Sequence, residues 1–123
     1  MRILIADDHP FTLQGTKSFI ESYGYTITDT CSNGISALNL ISLHQPDVAI
    51  LDINMPGMSG FELLENLEEV PEVIFVTAYD EFALKAFEVN ALDYLLKPID
   101  PKRLADAIQK LQTEMALEQA SLL

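Results

Sequence analysis

The sequence predicts an α/β fold, a doubly wound parallel sheet of five strands with five flanking helices. Three observations predict it. Short apolar runs of strand length alternate along the chain with segments of helical period. Two of those runs, 48–51 and 73–76, are continuously apolar, the pattern of strands buried on both faces of a parallel sheet. Helical crossovers between strands force the strands to run the same way. The 123 residues, 49% of them hydrophobic, suffice for one core, so the expectation is a single domain spanning 1–123.

Each element has its own signal. Residues 2–6, RILIA, form a short apolar strand that ends in Asp7-Asp8. His9-Pro10 follows, with proline suited to a first helical turn; Leu13, Phe19, Ile20 and Tyr23 mark the helix face and Gly24 closes it. Residues 25–31 alternate apolar and polar for much of their length, as an edge strand does. Asn33-Gly34 breaks the chain before a helix carrying Ile35, Leu38 and Ile41. Val48, Ala49, Ile50 and Leu51 then deliver a lone carboxylate, Asp52, to the third strand's carboxyl end, where Asn54, Met55-Pro56-Gly57 and Gly60 turn the backbone sharply. Residues 61–67 read as helix with Pro71 just beyond, and 73–76 as a buried strand ending in Thr77-Ala78. Residues 82–89 are helical, and 92–96 form a last strand ending in Lys97-Pro98. Leu104, Ala107, Ile108, Leu111 and Met115 keep the 3.6-residue period of a closing helix.

Seven basic and nineteen acidic side chains leave a net charge of −12, which argues against nucleic-acid binding by this surface. Glu62, Glu65, Glu68 and Glu69 read as a solvated helix face. The one cysteine, Cys31, excludes an internal disulfide and a multi-cysteine metal site, and reads as a small buried or half-buried hydrophobe. No apolar run approaches membrane-span length, and Met1-Arg2 leads directly into a strand; the expectation is a cytoplasmic protein without membrane contact. There is no internal repeat, low-complexity tract or linker.

Four of the five strands end in a reactive or phosphate-compatible side chain: Asp7 and Asp8, Asp52, Thr77 and Lys97. Parallel strands bring these to one edge, the edge at which open α/β sheets bind ligands. Taken singly, Asp7-Asp8 reads as a helix cap, Lys97 as a surface lysine and Thr77 as a strand residue; their recurrence at four strand ends argues for a site. Carboxylates about 4 Å apart repel by about 4 kcal/mol per pair at an effective dielectric near 20, more than one lysine offsets. Such a site calls for a divalent cation, and oxygen ligands with room for water favour Mg²⁺. Without metal, one carboxylate should titrate high. With Mg²⁺ held by Asp7 or Asp8 and by Asp52, the free oxygen of Asp52 can attack a phosphoryl group, giving an aspartyl phosphate. The metal and Lys97 would neutralise the transferring oxygens, and Thr77 could donate a hydrogen bond to one of them.

These residues stand in motifs: DD at Asp7-Asp8, LDINMPGMSG at 51–60, TA at Thr77-Ala78 and YLLKP at 94–98. Over essentially all its length the chain resembles the receiver domains of two-component response regulators, the CheY-like family. The resemblance implies a flavodoxin-like sheet of order 2-1-3-4-5. It implies that Asp52 is the phosphoacceptor, that Asp8 with Asp7 binds Mg²⁺, and that the backbone carbonyl of Asn54 completes the protein ligands. It further implies that Lys97 contacts the phosphoryl group, that the Lys97-Pro98 peptide is cis, and that Thr77 and Tyr94 form a switch pair. Asn54 and Tyr79 flank the path of attacking water and tune dephosphorylation. Residues 79–100 are most similar to receivers joined to LytTR-type DNA-binding domains. One departure is His9, where such receivers more often carry an acid; a solvated loop histidine is the expectation, over one facing the metal's water shell.

The implied function is a phosphorylation switch. A sensor histidine kinase donates to Asp52, and Thr77 and Tyr94 remodel the face made by the fourth helix, fifth strand and fifth helix. Homodimerisation on phosphorylation follows through exposed apolar residues of the last two helices, with a DNA-binding output domain beyond Leu123 in a transcriptional regulator. The chain is then no enzyme beyond its own phosphorylation and dephosphorylation. A free-standing receiver would also end here. A Mg²⁺-dependent aspartyl phosphatase would place its D-x-D loop after the first strand and carry a cap, neither of which this chain has. A binding module that ignores phosphate does not explain complete motifs, and a flavin site would need a hydroxyl- and glycine-rich first loop instead of acids.

Overall fold

The computed structural model describes residues 1–121; the last two residues of the expected domain lie outside them. The elements alternate strictly: β1 (Arg2–Ala6), α1 (Pro10–Ser22), β2 (Thr26–Cys31), α2 (Gly34–His44), β3 (Val48–Asp52), α3 (Gly60–Glu65), β4 (Glu72–Thr77), α4 (Ala83–Glu88), β5 (Asp93–Leu96) and α5 (Pro101–Ser121). All four strand pairings are parallel and the order is β2-β1-β3-β4-β5, the flavodoxin-like arrangement. No helix among the described residues is long and apolar enough to cross a membrane.

The unbroken apolar runs have a direct cause. Alternate residues of β1, β3 and β4 feed two separate cores, one on each face of the sheet. Leu4, Ala49, Leu51 and Phe75 pack with Ala37 and Ile41 of α2, Phe61 and Leu63 of α3 and Ala86 of α4. Ile3, Ile5, Val48, Ile50, Ile74 and Val76 pack with Ile20 of α1 and with Leu104, Ala107, Ile108 and Leu111 of α5. The predicted face of α5 is therefore the one it buries. β2, on the edge, is half-buried along most of its length, and its imperfect alternation reflects a register shift opposite Ile3 and Leu4 that leaves Thr28 unpaired with β1.

Local chemistry sets the boundaries. Asn33 caps α2, its Oδ1 accepting the Ser36 N–H at 2.8 Å, and Ser59 caps α3 by accepting the Glu62 N–H at 3.1 Å. The third helix ends at Glu65, short of the expected 67, because the Asn66 side chain donates to the Glu62 carbonyl at 2.8 Å and competes with helix continuation. α4 is likewise one residue shorter at each end than 82–89; Phe82 supplies no side-chain cap, and Asn90 closes the turn at φ 60°. Cys31 is half-buried as expected, and burial pushes its thiol up to about 11.

Candidate functional site

The strand order reverses direction between β1 and β3: the chain moves from β1 outward to β2, then returns to β3 and proceeds through β4 to β5. Crevices at such a reversal, beyond the strands' carboxyl ends, are where this class of sheet binds ligands. Asp7 follows β1 there and Asp52 closes β3. One further backbone rung fixes each flanking residue. The Asp7 N–H donates to the Cys31 carbonyl at 3.0 Å, and the Lys97 N–H donates to the Thr77 carbonyl at 2.7 Å. The Lys97-Pro98 peptide is cis.

The side chains converge. Lys97 Nζ lies 3.0 Å from Asp7 Oδ1 and 3.1 Å from Asp52 Oδ2, with both carboxylates almost wholly buried. Asp7, Asp8, His9 and Asp52 each offer a ligand atom, and those atoms all lie within 4.8 Å of one another. Three carboxylates against one ammonium leave the site electron-rich. Burial, and then the hydrogen bond with Asp8, push the Asp52 carboxyl from 3.8 up to about 6, while Lys97 opposes the rise. Burial by itself would lower the Lys97 ammonium, but the bonds to Asp7 and Asp52 outweigh it and its pKa is raised.

The donor set fits a hard divalent cation. Asp8 Oδ1 is buried without a hydrogen-bond partner, an expensive state for a carboxylate oxygen unless a cation claims it. Asp7 and Asp52 add carboxylate oxygens, as hard divalent ions prefer, and His9 adds one ring nitrogen.

His9 is the exposed loop histidine expected, but it is not turned away from the acids. Its ring is largely exposed, but Nδ1 turns into the cluster, 3.1 Å from Asp8 Oδ1, 3.3 Å from Asp7 Oδ1 and 3.6 Å from Asp52 Oδ2. The cause is local: Asp7 Oδ1 accepts the His9 backbone N–H at 2.9 Å, folding the chain back over the acid pair. Asp7 is thus a turn former, and His9, at the N-cap of α1, makes no side-chain cap bond. Two adjacent acids before a helix carry that signal in principle, because a short aspartate side chain readily bonds the backbone two residues on.

The remaining predicted residues form a second line. Thr77 is fully buried, and its Oγ1 accepts the Tyr79 N–H at 3.2 Å. The Tyr79 carbonyl in turn accepts the Tyr94 hydroxyl. Thr77 and Tyr94 are therefore joined through the backbone of Tyr79, by its N–H on one side and its carbonyl on the other, a link that side-chain reasoning did not foresee. No hydrogen bond joins Thr77 to the acidic cluster among the described residues. The side chain of Asn54 is exposed, and its backbone N–H donates to Asp52 Oδ1 at 3.2 Å. The loop carrying it is seated on α2: the Gly34 N–H donates to the Pro56 carbonyl at 3.1 Å, and a Cβ on Gly34 would fall 2.0 Å from the Met58 carbonyl oxygen.

Comparison with known proteins agrees with this geometry. Residues 3–109 match the model of the response regulator receiver domain. The chain is 40% identical over 126 residues to the transcriptional regulatory protein BtsR of Escherichia coli strain K12, covering all of this chain and 53% of that protein. It is 41% identical over 121 residues to an uncharacterized response regulatory protein of Yersinia pestis, covering 96% of this chain and 51% of that one. The chain thus spans about half the length of the curated relatives it matches. Among solved structures, the response regulatory domain of protein mrkE from Klebsiella pneumoniae superposes with a TM-score of 0.85 at 32% identity, covering 97% of this chain and 99% of that one. The N-terminal domain of a Wolinella succinogenes protein does so with a TM-score of 0.88 at 28% identity, over 96% and 98%.

Proposed function

The chain belongs to the response regulator receiver domain family, and on that premise we propose that it is a phosphorylation switch whose acceptor is Asp52. The observation that carries the proposal is a nearly dry carboxylate at the topological switch point, paired with Lys97 and crowded by Asp7 and Asp8.

A sensor histidine kinase is the donor. An oxygen of Asp52 attacks phosphorus, the bond from phosphorus to the phosphohistidine nitrogen breaks, and the leaving imidazole keeps the electron pair. Lys97 stands 3.1 Å from Asp52 Oδ2, close enough to neutralise oxygens of the incoming group. Asp7, Asp8 and Asp52, with the backbone carbonyl of Asn54, would hold Mg²⁺, which would supply the remaining positive charge for the transferring oxygens. Asn54 and Tyr79 border the route of hydrolytic water and tune the lifetime of the phosphoryl group. The protein itself catalyses only this gain and loss.

The switch runs through the link from Thr77 to Tyr94. Thr77 Oγ1 accepts one bond and has a proton to donate to a phosphoryl oxygen. Its movement tugs the backbone of Tyr79, whose carbonyl holds the Tyr94 hydroxyl, and Tyr94 is released to turn inward. Reversing a 1:10 population to 10:1 takes about 2.7 kcal/mol, the scale of one charged hydrogen bond plus one repacked ring. The face that changes carries Leu84 and Phe87 of α4, 70% and 80% exposed, and Leu96 of β5. We assign phosphorylation-dependent homodimerisation to it. Sedimentation with a beryllofluoride phosphoryl mimic should raise the mass at micromolar concentration; an unchanged mass counts against that part.

Output is transcriptional, through a DNA-binding domain outside this acidic chain. Support comes from a relative named as a transcriptional regulatory protein, and we take the output domain to be of LytTR type from the resemblance of residues 79–100 to receivers joined to such domains. The acceptor is tested by mass spectrometry with acetyl phosphate and Mg²⁺: the wild type gains one phosphoryl group and Asp52→Asn gains none. Equal labelling of the variant overturns the assignment.

A further inference from the structure

The proposed switch leaves His9 without a task, although its ring nitrogen sits among the groups that do the chemistry. We infer that His9 Nδ1 is a ligand of the site's divalent cation, making the site more receptive to divalent transition ions such as Co²⁺, Zn²⁺ and Mn²⁺ than oxygen donors alone would. The inference rests on the cation site of the preceding section.

Three observations carry it. First, Nδ1 already faces a cation. Lys97 Nζ lies 3.0 Å from it, as well as 3.0 Å from Asp7 Oδ1 and 3.1 Å from Asp52 Oδ2. An ammonium has only hydrogens to offer and so calls for a lone pair on Nδ1, whereas Asp7 Oδ1, 3.3 Å away, can only accept; the tautomer with the ring proton on Nε2 satisfies the first contact and leaves the second to a cation. Second, the donor spacing is that of one coordination shell. Two ligands at right angles, each about 2.1 Å from an ion, stand about 3 Å apart. Nδ1 stands 3.1 Å from Asp8 Oδ1, 3.3 Å from Asp7 Oδ1 and 3.6 Å from Asp52 Oδ2. Third, Asp8 Oδ1, the nearest of those oxygens, is the buried polar side-chain atom left without a hydrogen-bond partner among the described residues. In that tautomer the Nδ1 lone pair and this unpartnered carboxylate oxygen, 3.1 Å apart, repel unless a cation bridges them.

Imidazole nitrogen binds Mg²⁺ poorly and the later first-row ions well, whereas carboxylate oxygen discriminates less. His9 therefore acts on selectivity. Its side chain is 63% exposed, and the turn made by Asp7 sets its direction.

The test is calorimetric titration of the wild-type chain and of His9→Asn with Mg²⁺ and with Co²⁺, together with pulsed EPR of bound Mn²⁺ to detect a coordinated nitrogen. His9 makes no cap bond, and asparagine is a favoured N-cap, so the variant is expected to fold; His9→Gln provides an independent check. The expected result is a Co²⁺-over-Mg²⁺ preference about tenfold lower in both variants, with the nitrogen coupling lost. An unchanged preference, or no nitrogen coupling in the wild type, overturns the role of His9 and leaves the cation site standing. Failure of either ion to bind the wild-type chain overturns the cation site and this inference together.

Discussion

Replacing Asp52 by asparagine should stabilise the metal-free domain even as it removes the phosphoryl acceptor. Asp52 is 3% exposed, and burial followed by the bond with Asp8 lifts its carboxyl from 3.8 to about 6. A raised carboxyl means that the folded state holds the proton more tightly than the unfolded state. Stability is therefore fully present below pH 3.8, falls as pH rises toward 6, and stays reduced above it. A shift of this size corresponds to about 3 kcal/mol at neutral pH, taken as an upper figure. Asparagine keeps the shape, can still accept the Asn54 N–H, and leaves Lys97 its bond to Asp7 at 3.0 Å. A gain of about 2 kcal/mol is expected at neutral pH with chelator, or about 8 °C in Tm for a domain of this size. The gain should shrink toward zero near pH 4, and millimolar Mg²⁺ should narrow it by stabilising the wild type alone. Urea and thermal denaturation followed by circular dichroism across that pH range measure it. A variant less stable than wild type at neutral pH, or a difference that does not change with pH, would refute the claim that this carboxylate is held against its own preference.

Two other substitutions probe the scaffold. Lys97→Gln removes the ammonium that neutralises two buried carboxylates, and should cost about 3 kcal/mol at neutral pH without metal, with the loss smaller at pH below 6 where Asp52 is protonated; urea midpoints read it, and a pH-independent loss contradicts the electrostatic account. Gly34→Ala sets a methyl group against the Met58 carbonyl and should cost about 1–3 kcal/mol, displacing the loop that carries Asn54; chemical shifts of Asn54 and Met55 that stay in place would show that the loop absorbs the change elsewhere.

Much of the fold was legible because the periods were clean. The unbroken run before Asp52 meets two cores, and Leu104, Ala107, Ile108 and Leu111 face the sheet at helical spacing. Element ends were less legible where a side chain competes with the backbone: Asn66 stops α3 early, and Asn33, read as a breaker, is a cap. The acids, Thr77 and Lys97 could be found because strand direction alone sends strand ends to one rim.

What the sequence determined by itself was which residues reach that rim, since composition and spacing dictate parallel strands and parallel strands dictate the edge. Tertiary structure decided how the residues face one another once there. The turn at Asp7 swings His9 into the acids, the backbone of Tyr79 couples Thr77 to Tyr94, and Asp8 keeps an oxygen with no hydrogen-bond partner among the described residues. Those outcomes depend on distances of about 3 Å between groups up to ninety residues apart in the chain, which no local pattern encodes.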